Sequence, residues 1–361
     1  MTLKDGDIIL RKLIPTTLLL AAAMAQSVWP MQAVASDKPT VVLSNAFLGN
    51  AWRRSMVTAF EEGATKAQSE GLIQSFQIFN SAGDNSAVAQ IAQLKTILEN
   101  KPDILLVNPA SPTALNATLQ QACDMGVTVV VFDSSTDLEC VSIVTNSFSD
   151  WARLSTQAVI DGIGGSGTVV LARGVEGSPP ELEMYEVQME LLEANPDIEV
   201  VTEYFTFCDD TKAQDVLLDA IDSLPEIDGV VGCGEGLGAV LAFQEAGRNI
   251  PVVAFAPSGR ALKFWAEGNG APGSVAVMSD PGQVVAALYT AVNIHNGMSV
   301  PRTTVFPPVF VADTERDQWQ AAVGEDEVAS WQWTQTLVDA QIKANVEGTV
   351  ALAALPPVPV R

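Results

Sequence analysis

The chain has 361 residues, a formal charge of −24 and 48% hydrophobic residues. A chain this acidic repels phosphate backbones and anionic bilayers, which makes nucleic acid and membrane surfaces poor partner candidates; the charge otherwise reads as a means of solubility. Its one histidine, His295, and four cysteines without CxxC spacing leave zinc sites and histidine-dependent triads without ligands.

The N-terminus reads as a secretory leader. Arg11 and Lys12 precede an apolar run, Leu13 to Met24, too short to span a bilayer, and Ala33-Val34-Ala35 gives an A-x-A pattern before Ser36. Cleavage is expected after Ala35, with residues 1–35 outside the fold and the mature chain soluble in the periplasm. No cysteine lies near the cleavage site, so no lipoprotein anchor is expected. Roughly 325 residues remain, which suits two ordinary domains.

The mature chain opens on a β-branched run, Val41-Val42-Leu43, that stops at Ser44-Asn45. After a loop with Gly49 and Asn50, Trp52, Met56, Phe60 and Ala64 recur at a helical spacing. Strand, polar loop and amphipathic helix make the first half of a βαβ unit, and ligands of open parallel sheets bind at such loops. Asn50, Trp52 and Arg53 offer an amide, an aromatic face and a guanidinium there; the competing reading makes Trp52 core and Arg53 surface. Strands follow at Phe76–Phe79, Asp103–Val107, Val127–Phe132 and Ser142–Asn146, with helices at 86–100, through Cys123, and at 151–163. Behind Gly164-Gly165-Ser166-Gly167 a second series has strands at 168–172, 199–205, 229–233, 251–255 and 274–278. A last strand, 308–312, precedes a helical stretch carrying Trp319, Trp331 and Trp333, and the proline-bearing tail 351–361 reads as loose. The strands are continuous apolar runs, which predicts parallel sheets covered on both faces: an α/β protein of two similar domains with a cleft between them.

Taken together, LSNAFLGNAWR, DILLVNPASPTAL, GVTVVVFDSST, LARGVEGS and IDGVVGCGEGLGAVLAFQEAGRNIPVVAF resemble the type I periplasmic solute-binding proteins of sugar ABC transporters, in the ribose- and galactose-binding branch. The resemblance spans roughly residues 39–315. It implies two Rossmann-like lobes joined by three crossings near Thr145, Ser279 and Val309. The N-terminal lobe would be 38–145 plus 280–308 and the C-terminal lobe 146–279 plus 309–345, with 346–361 a loose tail. It also implies hinge closure on a small solute and docking of the closed form on a membrane permease. No cofactor, no catalysis and a monomer are expected.

The same resemblance places Asn50 as a hydrogen-bonding amide, Trp52 as a ring stacking on the ligand, and Asn108 and Asp133 as polar readers at strand ends. Asn146 beside the first crossing is a further candidate. A carboxylate such as Asp133 can accept two hydroxyl protons in strong, charge-assisted bonds; its other reading is an N-cap or Asx turn. The second wall departs from the ribose pattern. Pro179-Pro180-Glu181-Leu182-Glu183 stands where that pattern has an arginine, Cys208 where it has an aromatic ring, and Gly234-Glu235, Ala256 and Ser279 where it has polar readers. Ribose itself is therefore disfavoured. Glu181 and Glu235 would serve another polyol or an amine, or act only as helix N-terminal acids. Cys123–Cys140 and Cys208–Cys233 are possible disulfides, the latter pair on strands expected to be neighbours. Gly234, Gly236 and Gly238 have the wrong spacing for a dinucleotide fingerprint and suit close packing instead.

The leading reading is a binding component of an importer for a monosaccharide or sugar alcohol. The alternatives keep the fold but bind an amine or nucleoside, or pass the signal to a chemoreceptor or sensor kinase. A hydrolase is disfavoured, since no GxSxG elbow exists and His295 lies in a helix away from the strand ends.

Overall fold

The computed structural model describes residues 38–48, 51–81, 85–174, 176 and 179–348, the side chain of Pro179 excepted. The leader, Asn50 and the tail beyond 348 fall outside the described residues. In chain order the elements are β1 (Thr40–Asn45), α1 (Ala51–Ser69), β2 (Ser75–Asn80), α2 (Ala87–Glu99), β3 (Ile104–Asn108), α3 (Asn116–Asp124), β4 (Thr128–Phe132) and β5 (Ser142–Asn146). Next come α4 (Phe148–Gly162), β6 (Gly167–Arg173), α5 (Pro179–Glu193), β7 (Ile198–Phe205), α6 (Asp210–Ala220), β8 (Gly229–Val231), α7 (Gly236–Glu245), β9 (Val252–Phe255) and α8 (Gly259–Phe264). The chain ends through β10 (Val275–Met278), α9 (Gln283–His295), β11 (Thr303–Phe306), β12 (Val309–Val311), α10 (Arg316–Ala322) and α11 (Gln335–Val346).

These strands form two six-stranded sheets of matching order, β11-β5-β4-β3-β1-β2 and β12-β10-β9-β8-β6-β7. The continuous apolar runs follow from covering both faces. Val41, Leu43, Ile104, Leu106, Val130 and Phe132 pack under α1 and α9, while Val42, Leu105, Val107, Val129 and Val131 meet α2 and α3. In the second sheet Val170, Val230, Val253 and Phe255 pack against α6, α7 and α8, and Val169, Leu171, Val231 and Val252 against α4 and α5. Full burial of each such side chain contributes about 1.5–3 kcal/mol. Both sheets are pinned alike at their opposite end: Thr40 N donates to Asp103 at 2.8 Å and Thr168 N to Asp228 at 2.8 Å.

Among the described residues three connections from strand ends pass between the sheets, and a fourth leads from α10 beside the second sheet to α11 beside the first. β5 leads to α4, which packs on β8, β9 and β10; β10 leads to α9, which packs on β3 and β4; β11 passes through Pro307-Pro308 to β12. β12 pairs antiparallel with β10, a departure from the all-parallel expectation. A two-residue link that leaves β11 at its carboxyl end enters the second sheet at the carboxyl end too, so the strand must run backwards. β11, an edge strand parallel to β5, was not foreseen.

The C-terminal region corrects two further expectations. Trp319 is helical in α10, but Trp331 and Trp333 lie on the non-helical segment 329–334, a strap leading to α11. α11 then packs on α9 and β11 of the first sheet, burying Val338 and Ile342 in that core. The apolar face of α11 thus finds its partners in the core of the first sheet, whereas the expectation sets 335–345 with the second lobe.

Both disulfides form. Cys123–Cys140 ties the end of α3 to the loop after β4 across a sequence separation of 17. Replacing both cysteines by alanine is expected to cost about 2–4 kcal/mol in urea unfolding. Cys208–Cys233 joins loops after β7 and β8, which are not neighbours; β6 lies between them, so the bridge straps over its end.

Candidate functional site at the carboxyl ends of the strands

Asp133 follows β4 in a left-handed conformation with φ 52°, its N–H held by Val144 O at 3.1 Å. This turn is uncommon for a non-glycine residue and projects the carboxylate off the strand end. Gln283 Nε2 donates to its Oδ1 at 2.9 Å, Asn108 also bonds to it, and Arg53 supplies the nearby positive charge. Burial nevertheless dominates and pushes the carboxyl up to about 6, with Arg53 and the amides only partly opposing. The same burial lowers the Arg53 guanidinium, against the attraction of Asp133.

Asn108 is fully buried at the end of β3 and donates to Phe132 O at 3.3 Å. Gln90 of α2 braces it, donating to Asn108 O at 3.0 Å and Ser44 Oγ at 3.2 Å and accepting from Ala110 N at 2.8 Å. Three buried amide atoms around this end have no partner among the described residues: Asn108 Oδ1, Asn146 Nδ2 and Gln283 Oε1. Leaving such a group unpaired costs about 1–3 kcal/mol, so two acceptors and one donor stand ready for a partner.

Trp52 has another role in this structure. It is 9% exposed, packs in the core of the first lobe and donates Nε1–H to Ser279 O at 2.9 Å. Ser279 lies on the second crossing, so the indole ties α1 to that crossing, and Ser279 contributes through its carbonyl. Asp280, fully buried beside it, gathers the other connections. Its N–H donates to Asn146 Oδ1 at 3.1 Å, and its carboxylate accepts from Gly282 N at 2.7 Å, Trp331 N at 3.2 Å and Trp333 Nε1 at 2.7 Å. First crossing, second crossing and strap meet at one residue. Burial raises this carboxyl to about 7 in spite of its donors.

The second sheet brings Glu181, Cys208 and Glu235 together at its own strand ends. Glu181 is buried and pairs with Arg173 Nη2 at 2.6 Å; that guanidinium also meets Glu203 at 3.1 Å and stacks on Tyr185 and Phe205. Glu181 thus balances a cation within its own lobe. Glu235 accepts from Cys233 N at 3.0 Å and Thr206 Oγ at 3.2 Å, and burial pushes it up to about 7. Cys208 is occupied in its disulfide. Of the clustered glycines, Gly236 and Gly238 are packing residues: a Cβ on Gly238 would lie 1.8 Å from Asp210 O.

A cavity of about 460 Å³ opens between the lobes, lined by Asp133, Ser134, Ser111 and Asn146 of the first and by Pro180 and Glu183 of α5. Glu183 accepts from Ser149 N and Oγ at 3.1 and 2.5 Å. A second cavity, about 510 Å³, lies between the outer face of α1 and the strap, where no strand end reaches. Strand-end position and convergent polar groups favour the first as the ligand site.

The raised carboxyls set a pH dependence of stability. Asp133 and Asp210 near 6, and Glu235 and Asp280 near 7, all sit above their unfolded values of 3.8 and 4.5. The folded state therefore holds more protons between about pH 4 and 7, and stability rises as pH falls through that window. Unfolding in urea should show at least about 2 kcal/mol more stability at pH 5 than at pH 8.

The sequence pointed to Arg53, Asn108, Asp133 and Asn146, and these gather at the end of the first sheet; it did not point to Gln90, Asp280 or Gln283. The signal for the last two was Ser279-Asp280-Pro281-Gly282-Gln283, a polar turn between a buried strand and a buried helix.

Residues 41–298 match the family profile described as periplasmic binding protein domain. The chain is 25% identical over 243 residues to the ribose import binding protein RbsB of Bacillus subtilis, covering 66% of this chain and 77% of that one. It is 27% identical over 183 residues to the xylitol-binding protein of Mycolicibacterium smegmatis, covering 49% of this chain and 52% of that protein. The solved structure of an ABC transporter solute-binding protein from Thermobispora bispora superposes with a TM-score of 0.80 at 46% identity, covering 89% of this chain and 99% of that one.

Proposed function

The chain belongs to the periplasmic binding protein domain family, and on that premise we propose that it is the solute-binding component of an ABC importer, taking a monosaccharide or sugar alcohol into the cleft between its lobes. One observation carries the ligand class: Gln283 and Asn108, which both bond to the Asp133 carboxylate, each keep an amide oxygen without a partner among the described residues, and Asn146, whose Nδ2 also lacks one there, lines the same cavity as Asp133. Two neutral acceptors, a carboxylate and a donor match adjacent hydroxyl groups, each of which both donates and accepts. The relatives named for ribose and xylitol support the same class. Amines lose support, because Glu181 is paired with Arg173 and Glu235 accepts from Cys233 N and Thr206 Oγ within its own lobe.

The ligand-reading set we propose is Asn108, Asp133 and Asn146 with Arg53 and the Oε1 of Gln283, and with Asn50 on the adjoining loop. We place the lobe boundaries at 146–147, 279–282 and 307–308, with 335–346 in the first lobe, a division that the strand pairing and the packing of α11 support. Closure about these links would present a form for a membrane permease to recognise. Among the described residues no helix is long and apolar enough to cross a membrane; export through a leader cleaved after Ala35 and a monomeric state complete the proposal.

The test is a thermal-shift screen of the mature chain against monosaccharides, polyols, nucleosides, amino acids and small amines. A solute at a hundred times its dissociation constant adds about 2.7 kcal/mol. Stabilisation by a sugar or polyol is the expected result; stabilisation only by amines or nucleosides would overturn the ligand class.

A further inference from the structure

We infer that Gln283 is a positioning residue, holding the Asp133 carboxylate in its reading orientation and tying it to the junction of the interlobe crossings. The inference rests on Asp133 being the solute reader proposed above. Gln283 opens α9 and is wholly buried. Its side chain donates to Asp133 Oδ1 at 2.9 Å, and its backbone N–H donates to Asp280 O at 3.1 Å. Asp280 in turn holds Asn146 of the first crossing and Trp331 and Trp333 of the strap. One side chain therefore joins the site to the residue on which the connections converge.

The orientation of the amide is dictated by chemistry. Its NH2 must face the carboxylate, because the reverse orientation would set a carbonyl oxygen against it. That leaves Oε1, buried and without a partner among the described residues, as an acceptor beside Asp133. A solute hydroxyl donating to Oε1 fixes the amide, and the amide fixes the carboxylate. Besides Gln283 from α9, Asp133 faces the Arg53 guanidinium from α1 and the Asn108 amide from β3. Gln283 is thus one of two neutral donors favouring the charged form.

The test is calorimetric titration of the mature wild type and Gln283→Met with D-ribose, xylitol and myo-inositol between pH 5 and 8. Methionine keeps nearly the same volume and removes the donor. Affinity is expected to fall about ten- to a hundredfold. The pH below which binding is lost is expected to move upward from the wild-type value, because the carboxylate loses a bond that favours its ionised form. Gln283→Glu, which sets a second carboxyl against the first, should move that pH further upward and serves where the methionine variant does not fold. Wild-type affinity and an unmoved pH profile in the variants overturn the inference alone. Weaker binding with an unmoved profile also overturns it, since packing would then account for the loss. A wild type that binds none of these three, nor any other monosaccharide or polyol of the thermal-shift screen, overturns both this inference and the polyol reading beneath it.

Discussion

Replacing Asp133 by asparagine is expected to weaken binding of the imported solute by at least about a hundredfold, with no fall in the unfolding midpoint. The two halves of this result have separate causes. Binding suffers because hydrogen bonds to a charged acceptor contribute about 1.5–3 kcal/mol each, and Asp133 places such an acceptor beside the neutral amides of Asn108 and Gln283. Stability does not suffer because the native site disfavours the charge: burial raises the carboxyl to about 6. Asparagine keeps an oxygen for Gln283 Nε2 and removes that cost, at the loss of the attraction to Arg53. Calorimetric titration and thermal unfolding, run on the same preparation at pH 7.5, check both. Wild-type affinity in the variant would remove Asp133 from the site.

Trp52→Ala is expected to cost about 3–5 kcal/mol of folding stability, which a urea titration measures directly. A ring that only stacked on a ligand would be dispensable to the fold. Here the indole is almost fully buried among Met56, Phe60 and the first-sheet residues, and its N–H holds Ser279 O. Trp52→Phe separates the two contributions: most of the packing survives, the bond to the crossing is lost, and about 1 kcal/mol goes with it. An alanine variant as stable as wild type yet unable to bind would return Trp52 to the ligand.

The strand ends show how far residues alone carry a reading of such a fold. Buried strands announce themselves as unbroken apolar runs, so Thr40–Asn45, Ile104–Asn108 and Thr128–Phe132 are placed to within a residue or two, and with them Asn108 and Asp133. β11 has only four residues, three of them Thr or Val at a sheet edge, and offers no comparable run. Residues 324–334 carry Trp331 and Trp333 two positions apart, which sets them on one face of an extended chain and on different faces of a helix. What makes that segment a strap is the distant Asp280, which accepts from Trp331 N and Trp333 Nε1. Long-range partners of this kind leave no local periodicity. The glutamates follow the same logic: Glu181 looked available until Arg173, eight positions earlier and on another element, was seen to take it. Whether Trp52 anchors or stacks depended on Ser279, which lies 227 residues away.

The most direct test of the central claim is a crystal structure of the mature chain with the sugar or polyol that stabilises it best. The solute is predicted to lie between the lobes with hydroxyls within hydrogen-bonding distance of Asp133 and Asn108, and with one donating to Gln283 Oε1. A solute found instead in the larger cavity between α1 and the strap, with Asp133 untouched, would contradict the assignment of the cleft.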